Sequence, residues 1–149
     1  MKRIFLFLLF FSVLVVNSHG FKQEDMDKLK ATNQCIDCNL TEAPLFGLAL
    51  DGANLRAAKL DFANLENVSL RDAHLGFASM RETYLIGANL FGTNLTDGDL
   101  SGANLQNANL RGSVMLGIDL RGTDLTGANL QEVNLRNARL ERTARGEQN

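Results

Sequence analysis

From Leu40 to Leu140 every fifth residue is leucine, and Met80 and Met115 are the sole replacements. Two positions ahead of each, from Ala43 to Ala138, the side chain is usually small: 11 of 20 are alanine, and Thr83, Thr93, Gly98, Ser113 and Thr123 are among the rest. Leu48, Val68, Ile118 and Val133 are the larger intruders. A period of five excludes both regular elements. On an α-helix successive leucines fall about 140° apart and leave no apolar face. On a flat strand an odd period sends alternate leucines to opposite faces. The pattern works if each five-residue unit is one side of a square coil, a short extended stretch followed by a bend. The large residue and the small one two positions earlier then point inward together, as two-residue alternation requires. Four units close a coil of twenty residues, and coils stack at the ~4.8 Å spacing of neighbouring strands.

The turn residues suit that geometry. Nine of the 13 glycines (47, 52, 87, 92, 102, 112, 117, 122 and 127) lie two residues after the core position, where each side must bend and a positive φ is needed. Asparagine precedes the core position nine times, from Asn39 to Asn134. Its short amide suits bonding to nearby backbone or stacking one coil away.

The units "GANLR", "FANLE", "GANLF", "GANLQ", "NANLR" and "GTDLT" resemble the A-(D/N)-L-x-x signature of pentapeptide-repeat proteins. The resemblance covers residues 40 to 140. It implies an all-β fold, a right-handed quadrilateral β-helix of about five coils, here with a short N-terminal helical cap. Members of that family differ widely in role, so the resemblance specifies fold far more than function.

Four segments are expected. Residues 1–20 read as a secretory signal peptide: Lys2-Arg3, then the 13-residue apolar run Ile4 to Val16, then "NSHG" with small Ser18 and Gly20. As a helix that run spans roughly 20 Å, short of the ~30 Å hydrocarbon core, so no stable membrane anchor is expected after cleavage. Residues 21–39 form a cap, with Met26 and Leu29 three apart on a short amphipathic helix. Residues 40–142 form the β-helix, and 143–149 a polar tail. The expected location is the bacterial periplasm or the exterior.

Cys35 and Cys38 are the two cysteines. An oxidising compartment favours a disulfide between them that staples the cap; free thiols and a thiol-redox role remain as alternatives. A closed zinc site needs four ligands, and no second Cys/His pair exists. Asn39 stands where haem attachment requires histidine. Similar cysteine pairs precede the first coil in some exported pentapeptide-repeat proteins, so the resemblance also implies the staple.

No enzyme is indicated and no cofactor is expected. His74 is the one histidine beyond the signal segment, the serines at 69, 79, 101 and 113 are scattered, and the carboxylates Asp97 and Asp99 occupy ordinary outward slots; none forms a nucleophile, base and orienter set. The formal charge is −2, or −4 without Lys2 and Arg3, too mild to indicate a nucleic-acid partner. The function expected is a non-enzymatic interaction or structural module with an unidentified protein partner. The family's role of mimicking DNA toward topoisomerases belongs to strongly acidic dimeric rods. This chain departs from it by its signal peptide, its mild charge and its arginines at 56, 71, 81, 111, 121 and 136. Candidate partner-binding residues are Phe91 between Arg71 and Arg111, one coil away on either side, followed by outward Phe62 and Phe77.

Overall fold

The computed structural model describes residues 20–144. The expected signal peptide up to His19 and residues 145–149 of the tail lie outside the described residues. The chain winds as a right-handed quadrilateral β-helix behind one short helix, α1 (Gln23–Thr32). Parallel bridges join residues twenty apart, from Gln34↔Asn54 to Asp124↔Ala144. That spacing is the twenty-residue coil, repeated about five and a half times.

One unit shows why the period is stable. Leu95 N–H donates to Val114 O of the next coil at 2.7 Å, Asp97 N–H to Leu116 O at 2.8 Å, Asp99 N–H back to Ala78 O at 3.0 Å, and Gly98 N–H closes the turn on Leu95 O at 3.1 Å. The fifth donor, Thr96 N–H, has no backbone acceptor and is taken by Asn94 Oδ1 at 3.0 Å. A backbone donor shielded from water and left unpaired is costly, and a short Asn or Asp side chain can accept from the backbone two residues on, so this position favours them. The same bond recurs at Asn64, Asp99, Asn104, Asp119, Asp124 and Asn129. Where serine replaces the amide, at Ser69 and Ser79, Asp51 and Asp61 of the coil below accept from Arg71 N–H and Arg81 N–H instead, both at 3.0 Å.

Each corner puts its second residue at positive φ, at every fifth position from Asp37 to Arg142. Glycine takes nine of these places and Asn or Asp six, and Phe62 and Phe77 are the aromatics among the remainder. Inside, leucines and small residues fill a continuous core. Thr93 and Thr123 are fully buried there and donate their hydroxyls to Leu70 O and Leu100 O, at 2.7 and 2.8 Å.

The expected boundary between cap and coils, at residues 39 and 40, falls inside the first coil. Cys35 takes the core position of a leucine and Cys38 the small position, at 0% and 3% exposure, and they are joined as a disulfide. The coils also run on to Ala144, past the expected limit at 142. α1 lies over this first coil with Met26 and Leu29 buried. Asp25 Oδ2 accepts from Asn39 N–H at 2.7 Å and Asn39 O accepts from Lys22 N–H at 3.0 Å, which ties the helix down. At the other end Leu130, Val133, Leu135, Ala138 and Leu140 are only partly buried, forming a rim. No helix among the described residues is long and apolar enough to cross a membrane.

Candidate interaction site

Much of the outward polar chemistry is committed to the fold itself. Asp61 accepts from Arg81, Nη2 at 3.1 Å and Nε at 3.3 Å, one coil above. Burial alone would raise the Asp61 carboxyl, but the Ser79 hydroxyl, the Arg81 backbone N–H and the Arg81 guanidinium together hold it below the ordinary aspartate value. Asp119 is held low chiefly by the Arg121 side chain, against the opposing effect of burial, and Arg139 adds a second cation at 3.4 Å. Asp99 stacks directly under Asp119, so these two arginines also offset a like-charge contact. The Asp124 carboxyl is lowered first by the Thr126 side chain, with Gln106 Nε2 donating to it at 2.7 Å.

The sequence-predicted trio is brought together only in part. Arg71 lies over the Phe91 ring, Cζ 5.5 Å from its centroid. Arg111 does not join them: its Nη2 donates to Glu132 Oε1 at 2.9 Å on the neighbouring corner. A carboxylate at 2.9 Å attracts an exposed guanidinium more strongly than a ring face does, so the expected two-sided sandwich is a one-sided stack. Phe91 is also half-buried. Phe62 and Phe77 are 45% and 54% exposed, and both stand at corners with positive φ.

A second stack escaped the sequence reading. Arg56 lies over the Phe77 ring, Cζ 5.4 Å from the centroid. The two residues are 21 apart, so the arginine reaches diagonally around a corner; a search at the straight spacing of 20 passes over it. Ile36, 47% exposed, lies one coil below Arg56 on the same face. Two surface recesses meet at this stack. One, of about 460 Å³, is lined by Ile36, Asp37, Arg56, Ala57 and Phe77. The other, of about 400 Å³, is lined by Arg56, His74, Gly76, Phe77, Asn94 and Thr96 together with Asn54. Phe46 and Tyr84, 64% and 50% exposed, belong to the opposite face.

Among the described residues no group of three or more His, Cys, Asp or Glu is placed to hold a metal ion. The disulfide is buried, with Cys35 at 0% and Cys38 at 3% exposure.

Comparison with known proteins places this geometry. A family model described as pentapeptide repeats matches in eight copies, over residues 38–76, 69–107 and 103–142. Among solved structures, a pentapeptide repeat protein from the Arabidopsis thaliana thylakoid lumen is 28% identical, with 70% of each chain covered and a TM-score of 0.65. A pentapeptide repeat protein from the cyanobacterium Cyanothece 51142 is also 28% identical, covering 81% of this chain and 97% of its own, with a TM-score of 0.57. No curated protein sequence matches the chain significantly.

Proposed function

The chain belongs to the pentapeptide-repeat family, and on that premise we propose that it is an exported, non-enzymatic module: a rigid square rod whose outward side chains dock a protein partner. The observation that carries this reading is how the polar groups divide. Asp51, Asp61, Asp99, Asp119, Asp124 and the nine asparagines before the core position are spent on backbone donors or ladder ion pairs, while Arg56 and Arg71 rest on phenylalanine rings and make no ion pair among the described residues. Aromatic and arginine side chains together are the mixture enriched at interface hot spots. Export is read from the order of charge, apolar run and small residues in 1–20, and the relative from a thylakoid lumen agrees with it.

Cell fractionation with mass determination tests the compartment. A mature form beginning near Phe21 in the soluble exported fraction is expected; full-length chain confined to the cytoplasm overturns it. Affinity capture of the mature form in that compartment, repeated with Phe91→Ala and Phe77→Ala, tests the module. Loss of a specific partner with either variant is expected, and no partner retained by the unmodified chain overturns the reading.

A further inference from the structure

Every corner of the coil needs a positive φ at its second residue and places no such demand on its first. Phe46-Gly47, Ile86-Gly87, Phe91-Gly92 and Arg111-Gly112 follow that order, the large residue first and glycine second. Gly76-Phe77 reverses it. Phe77 adopts φ 62°, a conformation that disfavours a bulky L-residue, and its ring gains little burial in return. Gly76 is free of positive φ, and a Cβ there would meet only Thr96 O at 3.5 Å, an ordinary contact. The fold would accept nearly any side chain at 76 and would prefer glycine at 77. Positive φ is common to all these corners, Phe62 included, so what sets this corner apart is glycine in the first place followed by an exposed ring in the second.

The reversal has two consequences. The missing side chain at 76 leaves the recess bounded by Arg56 below and Thr96 above, and the ring at 77 forms a wall shared with the recess beneath it. The two recesses differ in chemistry. The lower is lined by Ile36, Ala57 and Phe77 together with Asp37, and Arg56 lines both. The upper has no carboxylate residue in its lining, which includes Arg56, His74, Asn94 and Thr96. Arg56 has no carboxylate partner among the described residues, unlike Arg81, Arg111, Arg121 and Arg139.

We propose that the Arg56–Phe77 stack is a docking site for an extended, acidic segment of a partner protein, with a large apolar residue in the lower recess and an Asp or Glu in the upper one. In extended chain, residues i and i+2 project to one side about 6.7 Å apart, and the two recesses adjoin, sharing Arg56 and Phe77 in their linings. Asp37 repels the acidic residue from the lower recess, so the segment lies in one direction along the rod. This site deepens the interaction-module reading and rests on it.

The test is an NMR titration of the mature chain with the acetylated, amidated peptide Gly-Phe-Thr-Asp-Gly. Saturable shifts centred on Ile36, Arg56, His74, Gly76 and Phe77 are expected. Replacing the peptide's Asp by Asn, or Arg56→Gln in the protein, should weaken binding about fivefold, the value of a modest exposed charge pair. The double variant Gly76→Phe/Phe77→Gly, which restores the ordinary corner order, should melt no lower than the unmodified protein and lose the peptide. A lower melting temperature for that swap would show the ring to be structural and overturn the site, as would absence of saturable shifts, indifference to the Asp replacement, or shifts centred on Arg71 and Phe91. If a captured natural partner binds without competition from the peptide, this site is wrong while the module reading stands. If no partner is captured at all, the module reading itself fails.

Discussion

Arg81 grips the carboxylate of Asp61 from one coil above, through its backbone N–H at 3.0 Å and its guanidinium at 3.1 and 3.3 Å. Asp61 therefore does for this side what an asparagine does elsewhere, pairing the donor that the backbone ladder omits, and adds an ion pair along the stacking axis.

A pH dependence follows. The Asp61, Asp119 and Asp124 carboxyls are all held below their ordinary value in the folded chain. A depressed folded pKa contributes stability that is present above the unfolded value, about 3.9, and lost as pH falls through the folded one. Melting temperature should be level from neutral pH to near pH 5 and fall below about pH 4. Asp61→Asn should flatten part of that fall, and a fall of equal size in the variant would remove Asp61 from the account.

The register of the coils is open to a paired substitution. Leu95 is fully buried, and Leu95→Asp combines lost burial with an unpaired buried charge, at a cost of about 4 kcal/mol or more. Gln131→Asp, on an exposed outward position, should change stability by no more than about 0.5 kcal/mol. Gln106 is a poor control, because it donates to Asp124 and a carboxylate there would face another. Equal denaturant midpoints for the first two variants would contradict the register.

Gly52 and Gly92 share one corner column and both have positive φ, but open space surrounds a Cβ at Gly52, whereas at Gly92 it would run into Asp72 Oδ1. Gly52→Ala should cost about 1 kcal/mol for backbone conformation alone. Gly92→Ala should cost more, and Asp72→Ala should remove the excess. A double-mutant cycle checks it: additivity of the two changes would mean that the carboxylate yields freely.

Ser113 is buried in a small-residue slot, and its hydroxyl has no partner among the described residues, whereas Thr93 and Thr123 in equivalent slots donate to carbonyls. Ser113→Ala should therefore raise stability by about 1 kcal/mol. A loss measured by chemical denaturation would reveal a bond that the hydroxyl makes.

The amino-acid sequence alone determined the coil, because each five-residue unit states its constraints locally: one large inward residue, one small, a bend that favours glycine, an amide that serves a leftover donor. Twenty such units agree, and their agreement admits one winding. The start of the ladder was less legible, since Cys35 and Cys38 hold the large and small core positions under different residue names. Tertiary structure alone decided where the arginines go. Arg71 reaches straight up its column to Phe91, Arg56 crosses a corner to Phe77, and Arg111 leaves its column for Glu132. Long, flexible side chains on a regular surface each have several partners within reach. The winner depends on offsets of a few ångström that residue spacing does not encode.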